Sequence, residues 1–145
     1  MGVQKYFTEA GKLQITNAIR VAETNTSGEI RVHIEKQCKE DVLDRAAYLF
    51  EKLEMHKTEL RNGVLFYLAV EDKKFAILGD GGINQKVADD FWESTKEVVI
   101  AKLKEGKYAE ALADGIIMAG EQLKTHFPYQ DDDVNELSDE ISFGK

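Results

Sequence analysis

The chain has 145 residues, 19 Lys and Arg against 27 Asp and Glu, a formal charge of −8, one Pro and one Cys. That length suits one domain with a substantial core, and 43% hydrophobic with 32% charged residues is the composition of a folded globule rather than a disordered chain. The acid excess argues against nucleic acid and anionic membranes, which ask for a basic footprint. A lone Cys38 leaves no intrachain disulfide and no thiolate-rich zinc site.

The longest apolar runs, such as Val64 to Val70, fall far short of the ~20 residues of a bilayer span. The first residues, Met-Gly-Val-Gln-Lys-Tyr, form no apolar signal region, and Tyr6 stands where myristoylation wants Ser or Thr. The expectation is a soluble, cytoplasmic monomer with no membrane insertion. The charge is concentrated late. Residues 130–145 carry six acids, Asp131, Asp132, Asp133, Glu136, Asp139 and Glu140, against Lys145, a net of −5 that leaves −3 on everything before. Pro128 marks the change, so residues 1–129 read as the domain and 130–145 as an acidic tail. Leu137, Ile141 and Phe143 are the apolar residues with which that tail would pin itself back.

In chain order, Thr8 is placed to cap a first helix whose apolar side is Ile15, Ala18, Ile19 and Ala22. Asn25 to Gly28 breaks it. Glu29 to Glu35 alternates, with Ile30, Val32 and Ile34 on one face, as a half-covered strand does. Asp41 to Met55 has Leu43, Ala46, Ala47, Phe50 and Leu53 at helical spacing. Val64 to Val70 is apolar on both faces and reads as the central strand. Glu71 to Lys74 turns a hairpin into a strand over Phe75 to Leu78. Asn84 is the expected cap of a long helix carrying Val87, Phe91, Trp92, Val98, Val99 and Leu103 inward, ended by Gly106. A last helix runs from Tyr108 to Phe127, with Leu112, Ile116, Ala119 and Leu123 on one side.

Strand, helix, strand, hairpin strand and two helices make an α/β fold with a mixed sheet. Its first two strands are parallel, joined by a right-handed helical crossover. That topology gathers Ser27-Gly28-Glu29, Arg61-Asn62-Gly63 and Gly79-Asp80-Gly81-Gly82 at one pole of the sheet, where the long helix with Asp89 and Asp90 also begins. Glu29, Asn62, Asp80, Asp89 and Asp90, with loop carbonyls, form an oxygen-only donor set. Calcium takes about six to eight such ligands, and magnesium fewer with retained water. Soft-ligand metals lack partners there. The other reading of the same residues is that Asp89 and Asp90 complement the helix dipole and Asp80 fills a turn.

Other chemistries find little support. Gly79-Asp80-Gly81-Gly82 lacks dinucleotide-fingerprint spacing and follows an antiparallel strand, and there is no Gly-Lys-Ser/Thr phosphate loop. Counting from Asp131, the sixth place of a calcium loop is Glu136 rather than Gly and the twelfth Ser142 rather than Glu. Cys38 does not fit the Cys-x5-Arg loop of thiol phosphatases. His33, His56 and His126 have no spaced partners and read as surface or structural.

Thr26-Ser27-Gly28-Glu29-Ile30-Arg31-Val32, Arg61-Asn62-Gly63-Val64-Leu65, Phe75-Ala76-Ile77-x-Gly79-Asp80-x-Gly82-Ile83 and Trp92, with Gly106-Lys107-Tyr108 and Gly115-Ile116-Ile117 later, resemble the TPM domain family over nearly all of residues 5–129. The resemblance implies a three-layer α/β/α sandwich, Rossmann-like in outline, binding divalent cations, chiefly calcium, in an apical cleft. It assigns Glu29 to the Ser-Gly-Glu motif and Asp80 to the Gly-Asp-x-Gly motif, with Asp89 and Asp90 at the acidic start of the Trp92 helix. The family also carries a phosphatase label, and its members in photosynthetic organisms are linked to photosystem II repair, while others are secreted or membrane-anchored and linked to receptor function. The expected function is a divalent-cation-binding module, Ca2+ or Mg2+, whose apical pole docks a protein partner or regulates. The alternative is a metal-dependent phosphatase acting on phosphomonoesters.

Overall fold

A computed structural model describes residues 6–24, 26–58, 60–87, 90–128 and 141–144. Helix α1 (Glu9–Glu23) starts where Thr8 Oγ1 accepts from Gly11 N at 2.9 Å, and it buries Ile15, Ala18 and Ile19 at three- and four-residue spacing. Strand β1 covers Glu29–Glu35. Asp41 caps α2 (Val42–Lys52), accepting from the amides of Leu43 and Asp44. That helix stops short of the expected Met55, because Glu54 takes a left-handed conformation (φ 60°) and the chain tightens into a 3-10 turn over Met55–Lys57. Strand β2 (Gly63–Ala69) is buried along its whole length, as a central strand must be. Strand β3 is Lys74–Gly79.

The segment after β3 differs from expectation. Asp80, not Asn84, is the cap: its carboxylate accepts from Gly81 N at 2.7 Å and starts a short helix, α3 (Gly81–Asn84). The long helix α4 begins only at Phe91 and runs to Lys104. Asn84 ties the two together, donating to Gly79 O and accepting from Trp92 Nε1, each at 2.8 Å. Val99 and Thr95 are the buried residues of α4, with Trp92 and Leu103 packed against the core as expected, whereas Val98 is 38% exposed. Gly106, at φ 79°, turns the chain into α5 (Tyr108–His126).

The sheet order is β3-β2-β1-β4, with β3 antiparallel to β2 and the other pairs parallel. The fourth strand, β4 (Ser142–Phe143), was not expected. It lies beside His33 and Ile34 of β1 and brings Ile141 and Phe143 against the core. Leu137 and the acids of the tail lie outside the described residues. Side-chain alternation then builds two cores. Ile30, Val32, Ile34, Val64, Phe66 and Leu68 face α1, α4 and α5. Leu65, Tyr67, Ala69 and Ala76 face α2 and the 3-10 turn. The result is the α/β/α sandwich. The second face of β1 is not open to water as its polar residues suggested: Glu29, His33 and Glu35 are all buried.

Candidate functional site

Strand register brings the motif segments to one pole. Glu29 lies opposite Gly63, and Val64 opposite Gly79. Glu29 N donates to Asn62 O at 3.4 Å, Asp80 N to Gly63 O at 2.9 Å and Gly82 N to Arg61 O at 2.8 Å. The last bond needs a very close approach of two main chains. A Cβ on Gly82 would stand 2.2 Å from Leu60 O and 2.5 Å from Arg61 O, so only glycine fits there.

Asp80 is the electrostatic centre of the pole. It is 6% exposed, and both carboxylate oxygens accept from Arg61, Oδ2 from Nε and Oδ1 from Nη2, each at 2.8 Å. This is the fork-on-fork geometry that makes arginine–carboxylate pairs strong. The two partners differ in access. The Asp80 side chain is 5% exposed and that of Arg61 is 56% exposed. The acidic half is therefore enclosed by the fold while the basic half borders solvent. Arg61 also sits at φ 53°, a left-handed backbone that arginine rarely adopts. Asp80 in turn holds the Arg61 guanidinium still more firmly protonated than usual.

Beside this pair opens a cleft of about 350 Å³ lined by Arg61, Asp80, His56, Glu51, Phe50 and Leu78, among others. Sequence spacing gave no reason to bring His56 there. The 3-10 turn after α2 does so, and leaves His56 Nδ1 buried without a hydrogen-bond partner among the described residues.

The remaining expected site residues are arranged as follows. Glu29 and Asn62 are buried at the pole, 2% and 1% exposed, and Asn62 Nδ2 has no hydrogen-bond partner among the described residues. Asp90 flanks the start of α4 but makes no side-chain capping bond. Asp89 lies outside the described residues. Among the described residues no three His, Cys, Asp or Glu side chains converge as a ready-made metal cluster. The topology therefore assembles the pole, while its central carboxylate faces an arginine rather than other acids.

A second polar cluster, which sequence spacing did not reveal, lies on the α2 face of the sheet. Glu35, at the end of β1, accepts Arg45 Nε and Nη2 at 2.9 Å each, the Tyr67 hydroxyl, and a 3.3 Å contact from His33 Nε2. His33 Nδ1 meets Ser142 Oγ of β4 at 2.9 Å, and its ring stacks on Tyr67. Burial pushes the Glu35 carboxyl up, but the bonds from Arg45, Tyr67 and His33 outweigh it and hold it at about 2. Burial lowers His33 below its usual value, against the pull of Glu35. Period-two alternation marked these side chains as polar, and only the tertiary fold shows that α2 and β4 cover them.

The three-layer sandwich and its glycine-framed acidic pole define a known class. The TPM domain model matches residues 3–122, so the chain belongs to the TPM domain family. Among solved structures, it is similar to the BA42 protein of the psychrophilic bacterium Bizionia argentinensis, at 48% identity over 98% of each chain and a TM-score of 0.91. The N-terminal domain of the cg2496 protein of Corynebacterium glutamicum shares the fold at 12% identity, with a TM-score of 0.67 over 90% of this chain and 81% of that one. No curated protein matches the chain. No helix among the described residues is long and apolar enough to cross a membrane.

Proposed function

We propose that the Asp80 pole binds a divalent cation, calcium foremost and magnesium second, by exchange with the Arg61 guanidinium. The observation that carries this reading is the asymmetry of the pair: a buried carboxylate held by the fold, neutralised by a cation whose side chain is more than half exposed. Arginine here stands in for the positive charge that a metal ion would supply. The donors are hard oxygens, those of Asp80 with Asn62, Glu29, Asp90 and the loop carbonyls between Arg61 and Gly63. They suit calcium or magnesium once Arg61 swings outward. Family membership supports the same ion class. In this reading the loaded pole is a docking or regulatory surface for a protein partner, and the single buried thiol, Cys38, suits the reducing cytoplasm.

Amide NMR titration of the whole chain with calcium and with magnesium tests it. Saturable shifts at Arg61, Asn62, Asp80 and Gly82, lost in Asp80→Asn, are expected. Shifts that are absent or map elsewhere sink the proposal.

One observation favours the phosphatase reading as a second possibility: His56 and Arg61 line the same cleft as Asp80. Arg61 would hold a phosphoryl group and His56 would carry a proton to or from the ester. Turnover of a generic phosphomonoester that falls in His56→Gln and Asp80→Asn and on chelation would favour it. Turnover unchanged in both variants would mark a contaminant.

A further inference from the structure

At the other end of the sheet, far along the strands from Asp80, a cavity of about 340 Å³ opens beneath the turn between α4 and α5. Its walls are apolar. Leu68 comes from the end of β2, Phe75 from the start of β3, Ile100 and Leu103 from α4, and Tyr108 from the start of α5. Gly106, part of the lining, reverses the chain at φ 79°, and a Cβ there would meet nothing within 4 Å. Tyr108 is held from outside by edge-on and tilted contacts with Tyr6 and Phe7.

Two lysines, Lys73 of the β2–β3 hairpin and Lys104 of the last turn of α4, complete the lining. Their surroundings set them apart. Lys102 is paired with Glu110 and Asp114, Lys107 with Glu105, and Lys74 is bound by the carbonyls of Cys38 and Glu40. Lys73 and Lys104 are exposed and have no hydrogen bond or ion pair among the described residues. On a chain of net charge −8, an apolar cavity edged by two exposed lysines outside any ion pair offers a place for an anionic head group.

We infer that this cavity binds a small amphipathic carboxylate, an aliphatic acid of medium length, with its tail on Phe75, Ile100 and Leu103 and its carboxylate between Lys73 and Lys104. The volume lies at the lower end of the roughly 300–1,000 Å³ range of small-molecule sites, which is enough for a medium-length aliphatic acid. The site is separate from the Asp80 pole and does not depend on what binds there.

Titration of the full chain with octanoate, below its micelle concentration, tests this by calorimetry and amide NMR. Saturable one-site binding is expected, with shifts at Leu68, Phe75, Ile100, Leu103 and Gly106. Affinity should rise by about fourfold per methylene from hexanoate to octanoate. It should fall by about five- to tenfold in K73E/K104E, a change confined to exposed side chains and checked for fold by the rest of the spectrum. Binding that is absent, fails to saturate or maps elsewhere overturns the proposal. So does an affinity that is equal for octanoate and 1-octanol and unchanged in K73E/K104E.

Discussion

Arg61 and Asp80 face each other as two forks, with both guanidinium–carboxylate bonds at 2.8 Å, yet one partner is locked in the fold and the other reaches into solvent. On the proposed reading the pair would be a gate on the carboxylate as well as a stabilising contact. If the proposed cation binds at Asp80, it would have to displace Arg61 first, and its apparent affinity would be reduced by whatever that displacement costs.

Removing the guanidinium separates the two roles. Arg61→Ala leaves the buried Asp80 without its counter-charge, and the ion-free protein should lose stability, read as a lower urea midpoint. The same change should tighten calcium binding by about three- to tenfold, since no internal cation competes. Calorimetric titration and urea unfolding with and without calcium check both effects. A variant that binds calcium more weakly than the parent would show that Arg61 supports the site instead of occupying it.

Gly82 fixes the geometry of the pole more rigidly than any charged residue there. A methyl group at this position would overlap the carbonyl oxygens of Leu60 and Arg61, and both are backbone atoms that no rotamer change can move. Gly82→Ala should cost about 2–3 kcal/mol in urea unfolding. Gly81→Ala is the matched control. A Cβ there meets nothing within 4 Å and should shift stability by less than about 0.5 kcal/mol.

The sequence allowed the pole to be located because strand order is a long-range property that short patterns encode well. Ile30, Val32 and Ile34 in alternation, the doubly apolar Val64 to Val70, and the Glu71–Lys74 turn were enough to place Glu29, Asn62 and Asp80 at one end. Side-chain partners were not legible. Nothing in local spacing says that Arg61 folds back on Asp80, because this depends on a left-handed residue and on the Gly82 contact. Asn84 looked like a helix cap because it precedes a long helical pattern. Asp80 captured the first amides four residues earlier, and Asn84 was left to join Gly79 to Trp92. The strand at Ser142–Phe143 was illegible for a different reason. Two residues are too few to show a period, and an acidic run before them reads as solvated chain.

The Glu35 cluster makes stability depend on pH in two stages. Glu35 is depressed from 4.5 to about 2 in the folded chain, so its contribution is complete above pH 4.5 and is lost as pH falls towards 2. His33 is lowered below 6.5 by burial. The unfolded chain thus takes up its proton first, and stability already declines as pH drops below about 6.5. Unfolding free energies measured from pH 7 to 2.5 should show both declines. In Glu35→Gln the lower one, of order 2 kcal/mol, should vanish. A single decline confined to one window would contradict the assignment.

The end of the chain controls that cluster. Gly144 N donates to Ile34 O at 2.8 Å, Ser142 Oγ meets His33 Nδ1, and a Cβ on Gly144 would lie 2.5 Å from Glu35 Oε1. Residues 141–144 thus cover His33 and Glu35 while Ile141 and Phe143 rest on the core. Deleting 141–145 should remove about 1–2 kcal/mol of stability, from the loss of two partly buried apolar side chains. The more discriminating readout is His33 itself. Rehydrating its ring removes the main cause of its lowered pKa while Glu35 stays beside it, so the imidazole should titrate at higher pH in the shortened chain. NMR titration of the His33 ring protons follows this directly. An unchanged His33 curve would mean that β4 packs on the sheet edge without controlling the water that reaches the cluster.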